Sequence, residues 1–366
     1  MKTKVIKLDE GPARAEAVKI AAKVLQDGGL VGFPTETVYG VGANAADNGA
    51  MKRLRELKQR PEDQPFTLLI ADKKQVGDYA GELSWPGSSL VEKGWPGPMT
   101  LIVQVNEPLS VGEFEGLYHK GTIGLRCPDH ELMGELLKEA GRPIVAPSAN
   151  RRGQAPAVEA AEVLAVLEGE LELILDGGRC RYGQASTVVE IVQGGYKIVR
   201  EGILDGRMIE DMAKMRIMFV CTGNTCRSAM AEGLLRAKLA RKLGCKETEL
   251  GQRGFEIFSS GTMGMTGVPA TENAVKAAAK LGADILQHLS QGLNERNIHR
   301  ADHIFTMTSR HLSAVLELVP EAKSKAKCLD RLGDIGDPMG LDLRGYRKCA
   351  TRLDGLIDKR LEELKI

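Results

Sequence analysis

The segment from Arg216 to Glu232 reads RIMFVCTGNTCRSAMAE and joins three patterns in seventeen residues. An apolar run with β-branched members comes first, a polar loop with glycine follows, and helical apolar spacing begins at Ser228. This order predicts a buried strand, a tight loop and an amphipathic helix. The loop carries Cys221 and Arg227 with five residues between them.

A loop that curls over a helix N-terminus points its backbone N–H groups inward, where the helix dipole is positive. Such a loop binds a phosphate dianion and favours the thiolate form of a cysteine at its centre. The planar fork of Arg227 can hold two phosphoryl oxygens. An isolated C-x5-R match is most often a structural cysteine at a strand end, but the strand-loop-helix context favours a phosphate loop.

The motif CTGNTCRS resembles that of the low-molecular-weight protein tyrosine phosphatases, and the resemblance runs from residue 216 to 366. It includes SSGT at 259–262, ADHIFTMT at 301–308 and the pair Asp337-Pro338. The resemblance implies that Cys221 is the nucleophile, Arg227 the phosphoryl ligand and Asp337 the general acid, with Asp334 a nearby alternative. The other expected loop residues are Thr222, Gly223, Asn224, Thr225, Cys226 and Ser228.

The remaining patterns of this half alternate between strand and helix. Strands are predicted at 255–259, 301–308 and 326–329, and helices at 271–281, 311–318 and 343–364. Alternation of this kind is typical of a doubly wound parallel sheet, so we expect a four-stranded, flavodoxin-like α/β domain. A two-step phosphoryl transfer through Cys221, without a cofactor, follows from the resemblance.

Thr225 bears on which phosphorylated protein is cleaved. Tyrosine-directed relatives usually carry a larger aliphatic side chain here, whereas CTGNTCRS resembles the protein-arginine phosphatases, and a hydroxyl can accept a hydrogen bond from a guanidinium. Against this, Met339 stands after Asp337-Pro338 where an aromatic residue is common, so the rim of the pocket is altered. We rank phosphoarginine first, phosphotyrosine second and arsenate reduction a distant third. Cys226 is also predicted to form a reversible disulfide with Cys221 under oxidants.

Composition sets the bounds for the rest of the chain. The 366 residues are enough for two domains. No segment reaches membrane-spanning length and the N-terminus lacks a signal-peptide pattern, which predicts a cytoplasmic protein without membrane contact. The seven cysteines and six histidines show no disulfide or metal spacing. Residues 1–206 hold 24 Lys and Arg against 29 Asp and Glu, a charge that disfavours generic nucleic-acid binding.

The first half contains a series of short motifs that are individually weak. A helix is predicted at 14–27 and a strand at 30–34, where hydroxyls and glycines gather at the strand's carboxyl end, the usual ligand edge of open α/β sheets. The motifs, in chain order, are FPTETVYG (33–40), KQRP (58–61), PGPMT (96–100), RCPDH (126–130), PSAN (147–150), STVV (186–189) and REG (200–202).

In this order the motifs resemble the YrdC-like threonylcarbamoyl-adenylate synthases across roughly residues 5 to 205. The resemblance implies a twisted open α/β sheet at 1–205, followed by a helical linker at 206–215 and the phosphatase-like domain at 216–366. It implies that L-threonine, bicarbonate and ATP with Mg²⁺ are condensed to threonylcarbamoyl-AMP and pyrophosphate. The product would serve the machinery that modifies tRNA to threonylcarbamoyladenosine.

The resemblance also assigns residues. The ATP-binding positions are Lys58, Arg60, Ser148, Asn150 and Arg200, and the threonine-binding positions are Thr35, Arg126 and Ser186. No protein metal site is expected, because Mg²⁺ would bridge phosphates. Leu69 replaces a histidine that could line the threonine pocket in relatives. A non-catalytic RNA-binding module remains the alternative for this half.

Overall fold

A computed structural model describes residues 2–8, 11–83, 85–105 and 117–364. The chain divides into two compact units, with the boundary between Ala213 and Lys214. Within the described ranges, no helix is both long enough and apolar enough to cross a membrane.

The first unit is a mixed sheet covered by helices. Its strands are β1 (Lys4–Lys7), β2 (Val31–Phe33), β3 (Gly40–Asn44), β4 (Leu68–Leu69), β5 (Met99–Gln104), β6 (Tyr118–His119), β7 (Thr122–Arg126), β8 (Ile144–Val145), β9 (Leu173–Asp176), β10 (Thr187–Val192) and β11 (Gly195–Arg200). Its helices are α1 (Pro12–Gln26), α2 (Asn48–Lys58), α3 (Val76–Ala80), α4 (Gly87–Gly94), α5 (Glu131–Ala140), α6 (Ala160–Leu167) and α7 (Gly206–Ala213). The strand order is β1-β9-β2-β3-β8-β4-β7-β5-β10-β11, and β6 pairs with β7.

The segment after β2 folds back on itself as a hairpin. Strands β2 and β3 pair antiparallel, so the polar residues 34–39 form the connecting loop. The sequence did not predict β3, because its glycines are typical of turns. In the structure a Cβ at Gly42 would lie 2.5 Å from the Phe33 ring, so glycine lets this ring pack flat against the neighbouring strand.

Two apolar clusters hold the first unit together. One packs α1 and α5 on the sheet and contains Leu69, which is buried among aliphatic side chains. The other contains α2, where Leu54 is fully buried and places the helix end at Lys58. Leu69 thus lies in a hydrophobic core.

The segment predicted as a linker contains helix α7. Ile209 is fully buried, Trp85 Nε1 donates to the carbonyl of Ala213 at 2.8 Å, and Ser89 Oγ donates to that of Met212 at 2.7 Å. Helix α7 is therefore part of the first unit. The sequence predicted a first domain at 1–205 and a linker at 206–215, whereas the first unit extends through helix α7 to Ala213.

The second unit is a parallel four-stranded sheet, as predicted. Its strands are β12 (Met215–Cys221), β13 (Phe255–Gly261), β14 (His303–Thr306) and β15 (Ala326–Cys328), in the order β13-β12-β14-β15. The helices are α8 (Arg227–Leu243), α9 (Glu272–Ala279), α10 (Glu295–Arg300), α11 (Ser309–Leu318) and α12 (Leu343–Glu363). Every pair is parallel, so the carboxyl ends of the strands share one edge, where β12 ends at Cys221.

Candidate active sites

The phosphate-loop segment connects the end of β12 to the start of α8. Cys221 is the last residue of β12, Cys226 occupies the position before the helix, and Arg227 is its first residue. Asn224 has a φ of 56°, in the left-handed region that asparagine tolerates better than most residues. This turn lets residues 222–226 curl over the helix N-terminus.

The Asn224 side chain ties the loop to its surroundings. Its Nδ2 donates to Ser228 Oγ at 2.9 Å and to Ser259 Oγ at 2.7 Å, while its Oδ1 accepts from the backbone N–H of Gln291 at 2.8 Å. Both N–H donors and one of the two oxygen lone pairs of the amide are used, in a fully buried position. The loop is consequently held in the folded protein before any ligand binds.

A second layer supports Asn224 from behind. Ser259 Oγ donates to Glu232 Oε2 at 2.6 Å, and His288 Nε2 lies 2.7 Å from the Asn224 carbonyl oxygen. Burial alone would lower the pKa of His288, but hydrogen bonds with Glu232 and with the Asn224 carbonyl raise it above its usual value. A protonated His288 can donate to both groups.

Cys221 lies at the bottom of the loop. Its Sγ is 2.9 Å from Ser228 Oγ and receives the backbone N–H of Asn224 at 3.2 Å. The side chain is almost completely buried. Both neighbouring groups can donate to a sulfur anion, which is the arrangement a nucleophilic cysteine needs.

Arg227 points its guanidinium across the mouth of the loop. Nη1 donates to the Ile335 carbonyl at 2.9 Å, and Nη2 contacts Asp337 Oδ2 and donates to Thr222 Oγ1 at 3.2 Å. The Nε atom is buried and has no hydrogen-bond partner among the described residues. An unpartnered buried N–H is costly unless a ligand accepts from it, so the fork has capacity for an anion.

The structure separates the two candidate acids. Asp337 contacts Arg227 and remains 44% exposed, whereas Asp334 accepts the Ser309 backbone N–H at 2.8 Å and its hydroxyl at 3.3 Å. Asp334 is thus engaged at the start of α11. Asp337 is the carboxylate that lies at the loop.

Thr225 and Cys226 differ in their surroundings. Thr225 is buried, and among the described residues its hydroxyl has only a long contact of 3.8 Å with Cys226 Sγ. Cys226 Sγ lies 3.3 Å from Thr271 Oγ1 and 3.4 Å from Tyr346 OH. The Thr225 hydroxyl therefore keeps hydrogen-bonding capacity for a ligand. Both loop cysteines are free thiols here, and their disulfide stays a prediction.

In the first unit, Lys58 binds the PSAN segment. Its Nζ donates to the carbonyl of Ser148 at 2.8 Å, to Asn150 Oδ1 at 3.0 Å and to the Asn150 carbonyl. Ser148 Oγ donates to Asn150 Oδ1 at 2.6 Å. Burial, and then the charge of Arg60, lower the pKa of Lys58 to about 8. Three of the predicted ATP residues thus form one cluster.

Arg126 forms a buried ion pair that the sequence analysis did not identify. Its Nη2 lies 2.9 Å from Glu36 Oε1 and donates to Thr37 Oγ1 at 2.8 Å. Thr35 Oγ1 donates to the Val38 carbonyl at 2.7 Å and lies 2.9 Å from Thr37 Oγ1. The Thr35 hydroxyl is therefore engaged within the 34–39 loop, next to the arginine.

Arg200 and Arg60 complete the cationic set. Arg200 Nη2 donates to the Ser186 carbonyl at 2.7 Å, and Ser186 Oγ is 3.1 Å from Thr100 Oγ1. Arg60 Nη2 donates to the Pro65 carbonyl at 2.6 Å. Burial lowers the pKa of Arg60, and repulsion by neighbouring cations, Arg200 among them, lowers it further. Burial also lowers the pKa of Arg200, and the charge of Arg126 adds to that effect.

Backbone pairing brings two of these groups together, because Gly40, which follows the 34–39 loop that holds Arg126, forms a β-bridge with Ser148. The lowered pKa values of Lys58, Arg60 and Arg200 each include repulsion from another cation of the set. Several cations at this spacing repel one another in the ligand-free protein. A polyanionic ligand relieves that repulsion, so the region is suited to a nucleotide triphosphate and a carboxylate.

Several supporting residues carried no signal in the sequence. His288 and His311 sit on elements remote from the CTGNTCRS motif, and only the tertiary fold brings them to the loop. Glu232 lies on α8, about one turn after Ser228, but its bond to Ser259 is a tertiary contact. Glu36 and Thr37 lie inside a quoted motif, FPTETVYG. Together with Thr35 they form three consecutive polar residues, which could have indicated a polar cluster in this loop.

Comparison with known proteins divides the chain in the same way. Residues 23–202 match the Sua5_yciO_yrdC family model, described as telomere recombination, and residues 216–366 match that described as low molecular weight phosphotyrosine protein phosphatase. A threonylcarbamoyl-AMP synthase of Chromohalobacter salexigens is 34% identical over 183 residues, 49% of this chain and 95% of that protein. This chain belongs to the threonylcarbamoyl-AMP synthase family. It carries a low-molecular-weight phosphatase domain as its second unit.

A longer relative matches over part of its length. The threonylcarbamoyl-AMP synthase of Pyrococcus abyssi is 38% identical over 218 residues, and the matched region covers 59% of this chain and 63% of that protein. A solved structure of a P. abyssi Sua5 double variant aligns with a TM-score of 0.52 at 26% identity, over 89% of this chain and 98% of that one. The α/β fold of the first unit is confirmed.

Gly261 provides a test of the loop's rigidity. A Cβ at this position would lie 2.7 Å from the Thr222 carbonyl oxygen and 3.0 Å from the Asn224 nitrogen, both backbone atoms. We expect Gly261→Ala to displace the loop and to weaken binding of inorganic phosphate by about tenfold, the equivalent of roughly 1.4 kcal/mol. Titration calorimetry measures this affinity. Gly251→Ala, with no atom near its Cβ, is the control, and equal affinity of both variants would contradict the prediction.

Proposed function

We propose that the first unit makes L-threonylcarbamoyladenylate and pyrophosphate from L-threonine, bicarbonate and ATP. The observation that carries this proposal is that Lys58 binds Ser148 and Asn150, while Ser148 bridges Gly40 at the end of the 34–39 loop that holds Arg126. The synthase relatives support the same reaction. The product would be consumed by an enzyme that transfers the threonylcarbamoyl group to tRNA.

The cations have separate roles in this proposal. Lys58, Arg60 and Arg200 bind the triphosphate, and Lys58 couples the phosphates to Ser148 and Asn150, which contact the nucleotide. Arg126 binds the threonine carboxylate beside Thr35 and Ser186. Glu36 neutralises and orients Arg126 from its buried side, which leaves the remaining face of the guanidinium for substrate.

The chemistry requires positioning more than covalent catalysis. The threonine amine adds to bicarbonate with loss of water and gives a carbamate. A carbamate oxygen then attacks the α-phosphorus of ATP, and the bond to pyrophosphate breaks. Each partner is an anion, so the cationic residues offset the repulsion and hold the reactants in line. Magnesium would be bound by the phosphates, because the buried Glu36 carboxylate is paired with Arg126.

Pyrophosphate release by the wild type and by Lys58→Ala distinguishes the synthase activity from the RNA-binding alternative. We expect the wild type to release pyrophosphate from ATP only when threonine and bicarbonate are both present. Lys58→Ala should abolish the release, because the phosphates lose a half-buried cation. A coupled pyrophosphate assay measures the rate. Exposed Lys52→Ala, on the same helix α2, is the control. Absence of threonine-dependent release by the wild type would favour the RNA-binding module.

The lowered pKa of Lys58 predicts a pH effect. Because its pKa is about 8, the ammonium loses its charge as the pH rises through that value, and the KM for ATP should rise above pH 8. Lys58→Arg should keep a flat KM for ATP between pH 7 and 9, because arginine stays protonated. Initial-rate kinetics at fixed ionic strength measure both profiles. A wild-type KM that does not change over this range would refute the prediction.

We propose that the second unit dephosphorylates proteins through a cysteinyl-phosphate intermediate. The observation that carries this proposal is the preformed loop around Cys221, with Arg227 and Asp337 at its mouth. The Cys221 thiolate attacks phosphorus, the S–P bond forms, and the bond to the leaving group breaks. The Asp337 carboxyl donates its proton to that group and then accepts one from the water that hydrolyses the intermediate.

Arg227 changes partners in this sequence. In the ligand-free loop its Nη2 contacts Asp337 while Nε has no partner among the described residues. A bound phosphoryl group takes Nε and Nη2 as a bidentate pair, and this frees Asp337 to face the leaving group. Asp337 can make this move because nearly half of its side chain is exposed.

The favoured substrate is phosphoarginine. Thr225 belongs to the loop and is buried, and within the described part of the chain its hydroxyl has only a long sulfur contact. It can accept a hydrogen bond from the guanidinium of phosphoarginine, whereas the phenyl ring of phosphotyrosine offers no N–H group. Phosphotyrosine is the alternative, with the family description in its favour.

Thr225→Val tests the substrate preference, because valine keeps the shape of threonine and removes the hydroxyl. We expect kcat/KM for a phosphoarginine peptide to fall about tenfold, the value of one lost hydrogen bond to a charged group, with little change for the matched phosphotyrosine peptide. Steady-state kinetics on both peptides measure the ratio, and Cys221→Ser is the blank. A wild-type preference for phosphotyrosine would identify the alternative.

A further inference from the structure

A line of hydrogen bonds connects Arg227 to the start of helix α11. Arg227 Nη2 donates to Thr222 Oγ1, which lies 2.9 Å from His311 Nε2. His311 Nδ1 lies 2.9 Å from Thr308 Oγ1. His311 is buried, and so the line runs through the interior of the second unit.

Each atom on this line is satisfied. Thr222 Oγ1 accepts from Arg227 and still has its proton and a second lone pair for His311. Both partners of His311 are hydroxyl groups, which donate or accept as needed, so either neutral tautomer fits. Burial, and then the charge of Arg227, lower the pKa of His311 to about 4. The imidazole is therefore neutral at physiological pH and adds no charge beside the arginine.

The line matters because Arg227 has few fixed contacts. Of its partners among the described residues, Asp337 must leave during the proposed reaction, and the Ile335 carbonyl on Nη1 and Thr222 on Nη2 remain. Nη2 is one of the two nitrogens that would hold the phosphoryl group. Thr222 stands in a loop, and its hydroxyl can rotate unless a second partner fixes it. His311 is that partner.

We propose that His311 is a positioning residue of the phosphatase reaction. It fixes the Thr222 hydroxyl, which keeps the Arg227 guanidinium aimed at the phosphoryl group while Asp337 serves the leaving group. The proposal rests on the phosphatase function proposed above. It assigns a task to a histidine that touches neither the phosphoryl group nor the reacting sulfur.

The two ring nitrogens of His311 allow a matched pair of variants. In His311→Gln the side-chain amide occupies the position of Nε2 and retains the bond to Thr222. In His311→Asn the amide occupies the position of Nδ1 and retains only the bond to Thr308 at the start of α11. A role in positioning predicts that glutamine rescues activity, whereas a role in stabilising α11 predicts that asparagine does.

The measurements are kcat/KM on the preferred phosphopeptide and the affinity for inorganic phosphate by calorimetry. We expect His311→Asn to lower both by about tenfold, the value of one lost positioning hydrogen bond, and His311→Gln to stay within about threefold of the wild type. Thr222→Val should match His311→Asn. The double variant, His311→Asn with Thr222→Val, should lose no more kcat/KM or phosphate affinity than either single variant, because both substitutions break the same line of hydrogen bonds.

Exposed His299→Ala, in the same unit, is the control and should equal the wild type. Rescue by asparagine and not glutamine, or additive losses in the double variant, would overturn the proposal. Absence of Cys221-dependent hydrolysis in the wild type would overturn the phosphatase function itself. In that case the phosphate affinities of the same variants still decide whether His311 orients Arg227.

Discussion

A buried guanidinium must keep its charge compensated, and both candidate sites are built around such a group. Arg126 in the first unit and Arg227 in the second are each almost completely buried. Removing one partner of a buried ion pair typically costs about 3–5 kcal/mol, so each arginine is paired with a carboxylate in the ligand-free protein. The partners are Glu36 and Asp337.

The two carboxylates differ in a way that matches the chemistry of each site. The Glu36 side chain is 1% exposed, whereas that of Asp337 is 44% exposed. The buried Glu36 carboxylate is suited to orienting and neutralising Arg126. Asp337 lies on the loop between β15 and α12 and can exchange its arginine contact for water or substrate. The first pair is suited to binding and the second to proton transfer.

Sequence reasoning identified the parts of these sites that are contiguous in the chain. Cys221, Asn224, Arg227 and Ser228 occupy one strand-loop-helix segment, where local geometry alone dictates which residue types work. The parallel sheet of the second unit was predicted for a similar reason, because alternating strands and helices have few stable arrangements. These predictions concern short stretches with strong local constraints.

The missed features depend on contacts that are distant in sequence. His288 reaches the Asn224 carbonyl across 64 residues, and the sequence did not predict this contact. Lys58 meets Asn150 across 92 residues, and both positions were predicted only because they belong to motifs of the family. Strand β3 was missed because its glycines indicate a turn when read locally. In the fold they accommodate the Phe33 ring, a packing requirement that no local pattern contains.

Two residues of the phosphate loop, Asn224 and Thr222, differ in how rigidly hydrogen bonds hold their side chains. Asn224 is fixed by three side-chain hydrogen bonds and a left-handed backbone, because displacing it would move the N–H groups that face the anion. The Thr222 hydroxyl can rotate about its C–O bond, so its hydrogen bonds to neighbouring groups determine its orientation. A neutral imidazole supplies that direction without adding a second cation beside Arg227. Hydrogen bonds of amide and hydroxyl groups thus fix the conformation of the loop. The charged side chains at its mouth, Arg227 and Asp337, can still exchange partners.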